Sequence, residues 1–394
     1  MPDGVAVTGV AVISGLGATA AAHQRGMDAG QHGLRPLGEL GEVAASYANL
    51  PGGWITPRSM LAGNRYGPTT NLSLKLAKVA VADAGISAAA LRDAWVFCGT
   101  SRGNLAGWLA PWPGRHGHQQ MATSNSMHSE MAAAITISMD IHGPFQVLSN
   151  GCAAGLDAVG FGYWVVASGM APRALVVAAD LPLVPQLLDS YRQTGLLSHN
   201  GVNDPYGSET SGFLPGEAGA ALLLEPASEV GERPVYGYLH GYWANSDAYH
   251  PLGVPADGIG TAECLQKALA GLPHWRVAAI CSHASGTIAH GGAERAALHA
   301  VFPTAHPPIS VHLLKPFTGH SIGASGAVDM AIMLHYLRQG LTPPTLPGLS
   351  GAGAPFTMPE FATPVADDAL ILKISMGMGG HNAIVALSRA KAAL

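Results

Sequence analysis

Cys152 lies in the segment Leu148-Ser149-Asn150-Gly151-Cys152-Ala153-Ala154-Gly155, where an apolar run gives way to small, helix-compatible residues. A strand-to-helix transition there aims free backbone N–H groups and the positive end of a helix dipole at the thiol, which predicts a favoured thiolate. Two later segments hold the partners such a nucleophile needs, Ser282-His283-Ala284-Ser285-Gly286-Thr287 and Lys315-Pro316-Phe317-Thr318-Gly319-His320. One cysteine and two histidines, each flanked by glycine and small residues, suit acyl transfer through a thioester. Their wide separation argues against a structural zinc site, whose Cys and His ligands come in close pairs. Any one of them alone reads as a buried cysteine or a hydrogen-bonded histidine; the three together read as a site.

Elements that could position these residues recur along the chain. Apolar or β-branched runs at 5–13, 95–98, 174–179, 220–224, 235–239, 277–281, 309–311, 369–374 and 383–387 predict buried strands. Alanine-rich stretches at 71–84, 129–138, 156–168, 262–270, 294–301 and 324–338 predict helices between them. The alternation predicts a layered α/β fold. Strands and helices follow a similar order before and after about residue 230, as in a duplicated unit, and the polar, turn-rich stretch 225–234 is the expected junction. This divides the chain into 1–230, with Cys152, and 231–394, with His283 and His320. Stretches 108–127 and 181–211 are too long for ordinary connections and are expected to form pocket or interface loops.

The 394 residues are 48% hydrophobic and only 11% charged, with 51 glycines, which implies an extensive core and an oligomeric interface. A net charge of −5, with 20 Lys plus Arg thinly spread, offers no basic stripe for nucleic acid. Cys98, Cys152, Cys264 and Cys281 show no disulfide framework, so reduced thiols in the cytoplasm are expected. Neither a leader peptide nor a membrane-length apolar span is recognisable.

Seven segments, in order, resemble the β-ketoacyl-acyl carrier protein synthases, the elongating ketosynthases of the thiolase superfamily. The opening strand and turn at 5–17 and the Cys152 segment are two of them. Gly212-Phe213-Leu214-Pro215-Gly216-Glu217 resembles the GF-x-x-GE motif, and Asp247-Ala248-Tyr249-His250 the DAYH turn. His283 to Thr287 stands where the family has HGTGT, with Glu294 at the acidic position downstream. Lys315 and His320 match K-x-x-x-GH, and 375–383 stands where the family has SFGFGGTNA. The resemblance spans nearly the whole chain and implies a thiolase-like fold, two duplicated βαβαβαββ halves in an α/β/α/β/α stack.

It also implies a decarboxylative Claisen condensation. Cys152 would take an acyl group from a carrier thioester and pass it to the carbanion released from malonyl carrier. The resemblance makes the amides of Cys152 and Met378 the oxyanion hole, and His283 and His320 the donors to the enolate. It makes Lys315 and Glu294 a charged pair orienting the second histidine and its loop, and Met376 and Met378, in place of phenylalanines, the acyl-pocket gate. In Pro205-Tyr206-Gly207-Ser208-Glu209-Thr210-Ser211-Gly212-Phe213 the family's two aspartates and arginine are missing, which points to a specialised type II polyketide or fatty-acid enzyme. His290, His299 and His312 match no family role and read as hydrogen-bonded histidines.

The expected partner is an acyl carrier protein, which delivers acyl and malonyl thioesters on its phosphopantetheine arm, so no bound cofactor or metal is expected. Arg65, Lys75 and Lys78 are candidate docking cations, although a plain solvated helix face is the favoured reading. The expected assembly is a homodimer or a ketosynthase/chain-length-factor heterodimer. The alternative function is a non-catalytic, chain-length-factor-like subunit, although such subunits typically lack the cysteine. A thiolase ranks lower, since no cysteine lies beyond Cys281 to supply that family's second catalytic thiol.

Overall fold

The computed structural model describes residues 4–63, 65–105 and 127–391. Its framework is an eleven-stranded sheet. The first five strands are β1 (Val5–Ile13), β2 (Trp95–Gly99), β3 (Phe145–Leu148), β4 (Ala174–Asp180) and β5 (Ala218–Pro226). They are followed by β6 (Gly237–Ser246), β7 (Arg276–Cys281), β8 (Ile309–His312), β9 (Phe356–Thr357), β10 (Ala369–Gly377) and β11 (His381–Ser388). Strands β1, β4 and β10 are buried along their whole length, which is why they read as continuous apolar runs rather than alternating ones.

The sheet order is β9-β8-β7-β10-β11-β6-β1-β5-β4-β2-β3. Strands before residue 230 lie on one side of the β1·β6 junction and strands after it on the other. Outward from the junction, the first set runs β1-β5-β4-β2-β3 and the second β6-β11-β10-β7-β8, the same order within each set once the two-residue edge strand β9, beyond β8, is left aside. Pairing repeats as well, with two antiparallel neighbours followed by two parallel ones. The sets meet through three antiparallel pairs, Val5 with Leu239, Ala6 with Tyr238 and Val7 with Gly237. The two sets thus share one strand order and one pairing pattern.

The described α-helices are α1 (Ala20–Asp28), α2 (Pro68–Asp83), α3 (Glu130–Met139), α4 (Ala154–Ala167), α5 (Pro185–Gln193), α6 (Ile259–Gly271), α7 (Ile288–Val301), α8 (Lys315–Thr318) and α9 (Ser325–Leu337). Helices α4 and α9 pack on each other and on strands of both sets, forming the inner layer. Helices α2 and α3 cover the outer face of the first set, and α6 with α7 that of the second. Every residue of α9 except His335 is buried, as its position against the other inner helix and both strand sets requires. The inner helices cross closely because Gly155 and Gly326 lack side chains. A Cβ on Gly155 would stand 2.7 Å from the Gly323 carbonyl oxygen, and one on Gly326 2.7 Å from the Leu156 Cβ.

The nine predicted strands and six predicted helices are present, β1 with the expected ends and the others with shifted ones. Strand β3 escaped prediction because it is a short edge strand with Phe145 and Gln146 exposed, so it lacks a buried apolar run. The stretch 181–211 is not wholly irregular. Pro185 starts α5 at a position where its missing N–H costs nothing. The stretch 108–127 lies, except for Met127, outside the described residues. At the expected junction, buried Glu225 accepts from Arg173 at 2.7 Å, Arg233 at 2.8 Å and Thr8 at 2.5 Å. Among the described residues no helix is long and apolar enough to cross a membrane.

Candidate active site

Cys152 sits in a single 3₁₀ turn, Gly151–Ala153, between β3 and α4. Gly151 holds φ at +59°, a conformation L side chains resist. The turn therefore delivers the thiol to the first turn of α4, as the sequence predicts. His320 approaches from the other half of the chain, in the loop between α8 and α9. Its Nε2 is 3.2 Å from the Cys152 Sγ and its Nδ1 2.9 Å from the Ser325 Oγ. His283, just past the end of β7, meets the His320 ring edge-on with centroids 5.6 Å apart, and its Nδ1 is buried without a partner among the described residues. Phe213, from the predicted GF-x-x-GE segment, packs edge-on against the other side of His320 at 5.2 Å.

The charged neighbours are arranged differently from expectation. Lys315 does not pair with Glu294. Its Nζ bonds Asp329 at 3.1 Å, and the same carboxylate takes Lys373 at 2.6 Å. Glu294 instead accepts the backbone N–H groups of His283 at 2.6 Å and Ala284 at 2.9 Å, and the Tyr206 hydroxyl at 3.0 Å. The reason is geometric: Glu294 faces back along α7 to the loop that precedes it, while Asp329 lies one turn beyond Ser325 on α9, facing the Lys315–His320 loop. Sequence reasoning missed Asp329 and Lys373. The i, i+4 pair Ser325 and Asp329, one holding His320 and the other Lys315, was the available signal.

Two lysines on one carboxylate leave a buried positive charge behind the histidines. Burial, reinforced by Lys315, pushes the pKa of both His283 and His320 well below the ordinary value, so both imidazoles are neutral. Burial also pushes the Cys152 thiol up to about 11, against the opposing pull of Lys315, the Met378 amide hydrogen bond and Arg102. The predicted resting thiolate is therefore corrected. The helix start is present, but the sulfur is enclosed and the nearby imidazoles carry no charge to offset its burial.

A cavity of about 20 Å³ adjoins the thiol, lined on one side by Leu196, Phe213, Ile322 and Met378 and on the other by His283, Ser285, Thr287, His290 and His320. Its size is nearer one water than an acyl chain. Of the two predicted gate methionines only Met378 reaches it. Strand β10 ends at Gly377, so Met378 belongs to the turn, whereas Met376 packs in the outer core with Ile280 and Leu372. His290 bonds the Thr287 Oγ1 at 2.9 Å and also lines the cavity, a placement its sequence did not reveal. His299 and His312 bond backbone carbonyls of Ala352 and Pro343. Of the candidate docking cations, Arg65 lies over Tyr66 and Lys75 bonds the Ser59 carbonyl, while Lys78 is exposed on α2. All four cysteines are free and buried, and no metal-binding cluster occurs among the described residues. A buried thiol against a neutral imidazole, with a second imidazole facing them and a cation behind, is equipped to exchange thioesters and to stabilise an oxyanion.

Residues 54–230 match the family described as Beta-ketoacyl synthase, N-terminal domain, and residues 236–348 its C-terminal domain. Over 226 residues the chain is 30% identical to the putative polyketide beta-ketoacyl synthase 1 of Streptomyces halstedii, an alignment covering 55% of this chain and 54% of that protein. It thus spans about half the length of that relative. It is 26% identical to the tetracenomycin polyketide synthase ketoacyl synthase alpha subunit of Streptomyces glaucescens over 98% of this chain and 97% of that one. Among solved structures, a chain of AntDE:AntF, a type II PKS acyl-carrier protein in complex with its ketosynthase, superposes with a TM-score of 0.85 at 22% identity. That match covers 98% of this chain and all of the other.

Proposed function

This chain belongs to the β-ketoacyl synthase family, with a thiolase-like fold, and from that premise we propose that it is a catalytically active ketosynthase of type II polyketide or specialised fatty-acid biosynthesis. The observation that carries this reading is the 3.2 Å approach of His320 Nε2 to Cys152 Sγ across the two halves of the chain.

In the first half-reaction Cys152 attacks the thioester of an acyl carrier protein. Because the thiol rests protonated, Nε2 of neutral His320 takes its proton as sulfur bonds to the acyl carbon. The carrier's phosphopantetheine thiol leaves with a proton. The oxyanion formed on the way is assigned to the amides of Cys152 and Met378, the latter already directed at the sulfur. In the second, malonyl carrier loses carbon dioxide, and the N–H of His283 and that of His320, now in its Nε2–H tautomer with Nδ1 accepting from Ser325, donate to the enolate oxygen. The carbanion then attacks acyl-Cys152, giving a β-ketoacyl carrier, and the displaced sulfur takes up a proton from solvent to regenerate the thiol. The Lys315–Asp329–Lys373 cluster favours each anionic intermediate, and Glu294 positions His283 through its backbone.

On this reading residues 1–230 and 231–394 are duplicated halves, supported by their shared strand order. A dimer of like or unlike subunits and a cytoplasmic setting belong to the same proposal. The small cavity favours the second reading, a chain-length-factor-like subunit without its own turnover. Intact-mass analysis after incubation with acyl carriers, alongside Cys152→Ala, separates the two. The ketosynthase gives an adduct on the unsubstituted chain alone, discharged to β-ketoacyl carrier by malonyl carrier. No adduct across a broad acyl panel, from folded protein, hands the assignment to the subunit.

A further inference from the structure

The two amides assigned to the oxyanion hole come from turns far apart in the chain. Cys152 follows Asn150 and Gly151 in the turn that opens α4, whereas Met378 lies between β10 and β11 in a turn that Gly379 and Gly380 complete at φ +87° and +77°. An oxyanion shared by two turns is stabilised only while their spacing holds, and glycines at positive φ do little to fix it. The turns meet at the backbone. A Cβ on Gly151 would stand 3.5 Å from the Met378 nitrogen, and one on Gly377 2.8 Å from the Asn150 carbonyl oxygen.

One carboxylate ties the turns together. Asp157, fully buried in the first turn of α4, accepts from Asn150 Nδ2 at 2.7 Å on the side of the nucleophile. On the other side, His381 Nε2 lies 2.9 Å from its Oδ2 and 3.1 Å from its Oδ1. The Tyr242 hydroxyl, from β6, donates to Oδ1 at 2.7 Å and holds the carboxylate itself in place. His381 pairs with Gly377 across the foot of the β10–β11 turn, so it closes the loop that carries Met378. In the segment that resembles SFGFGGTNA it stands at the threonine, so the motif does not supply this tie.

We propose that the Asn150–Asp157–His381 link is a clamp that sets the spacing of the Cys152 and Met378 amides, with His381 as a positioning residue for acyl transfer. This rests on the ketosynthase reading, which puts the oxyanion between those amides. His381 does not line the cavity beside the thiol, and it acts on the reaction through Gly379 and Gly380 to Met378. A hydrogen bond to a buried carboxylate that is itself anchored on a helix suits that task, being strong and directional.

The test compares two reactions of Cys152 at a single pH, both read by intact mass. In thioester transfer Sγ bonds the acyl carbon, an oxyanion forms and collapses, and the carrier sulfur leaves as its thiol with the cysteine's proton. In alkylation by iodoacetamide Sγ displaces iodide, the proton goes to buffer, and no oxyanion forms. His381→Phe, which keeps a ring but no donor, is expected to slow acylation by the acyl carrier the protein takes up fastest by about 10–100-fold, less than outright loss of an oxyanion donor. Its alkylation rate should stay within about twofold of the parent's, since the thiol's own surroundings are unchanged. Asn150→Ala, which cuts the other end of the link, should show the same split. His381→Gln, which offers an N–H donor near the place of Nε2, should recover most of the acylation rate. Acylation by His381→Phe or Asn150→Ala within about threefold of the parent overturns the inference, because a displaced oxyanion donor costs more than that. An equal loss of acylation and alkylation overturns it too, since the link would then only hold the fold, and so does His381→Gln as slow as His381→Phe. A parent chain that iodoacetamide alkylates at Cys152 but no acyl carrier acylates removes the ketosynthase reading, and this one with it.

Discussion

Two turns that open the inner helices do different things with one backbone design. In the first half, Gly151 at φ +59° leads through a 3₁₀ turn into α4; in the second, Ile322 at φ +46° leads through a 3₁₀ turn into α9. Counting from the helix starts, Gly151 and Ile322 correspond, and so do the close-approach glycines Gly155 and Gly326. The first turn has the residue suited to positive φ and carries the nucleophile. The second puts a β-branched residue where the backbone disfavours one, and that side chain becomes a wall of the nucleophile's cavity. A strained position kept at a site wall is evidence that the wall matters. On the proposed ketosynthase reading, one half attacks and the other supplies the base and part of the cover.

The buried carboxylates behind the turns differ too. Asp157 on α4 holds Asn150 at 2.7 Å, Tyr242 at 2.7 Å and His381 at 2.9 Å, while Asp329 on α9 holds two lysines. One anchors a turn mostly through neutral donors; the other makes an electrostatic source.

The division of labour predicts its largest effect on turnover. Replacing His320 or His283 by Ala should each lower condensation by roughly 10²–10³-fold, as for other oxyanion donors, measured as β-ketoacyl carrier formed per minute. A variant within tenfold of the parent would break the assignment of the second half as supplier of donors. Next, the thiol pKa of about 11 implies that iodoacetamide alkylation of Cys152 climbs about tenfold per pH unit between 7 and 10, without a plateau near neutrality. A plateau at pH 7 would restore a resting thiolate.

For stability, Asp329→Asn leaves two buried lysines without a counter-ion and should cost about 3–5 kcal/mol in urea unfolding, whereas Asp157→Asn should cost about 1–3 kcal/mol. The two should also differ with pH. The Asp157 hydrogen bond raises the His381 pKa above its ordinary value, so that pair's contribution is full below the unfolded pKa and is lost as pH rises through the folded one. The cost of Asp157→Asn should therefore shrink between pH 6 and 9, while that of Asp329→Asn holds. The smallest effects concern the backbone. Gly151→Ala should destabilise by about 1–2 kcal/mol, and Ala284→Gly, at φ +39°, should stabilise by up to about 1 kcal/mol. Equal midpoints for both would mean that these turns carry no strain.

The parts of this arrangement that could be read from sequence are those with local signatures. Buried parallel strands are apolar throughout, and Cys152, His283 and His320 sit in glycine-flanked motifs, so their existence and order were legible. Contacts across the fold were not. Nothing near Lys315 says that its carboxylate is Asp329 rather than Glu294, because that choice depends on which way α7 and α9 face. The thiolate expectation considered the helix start and not the enclosure around it, and enclosure prevailed. Met376 and Met378 look equivalent in sequence, and only the end of β10 at Gly377 sends one to the cavity and the other to the core.

The 3.2 Å contact between Cys152 and His320 joins residues 168 positions apart. On a ribosome, the nucleophile's turn and all five strands of its half emerge long before His283, His320 and Met378 have been made. A nascent chain at that stage thus holds the Cys152 thiol without His283, His320 or Met378. On the proposed ketosynthase reading, acyl transfer by this thiol therefore awaits the folding of the second half.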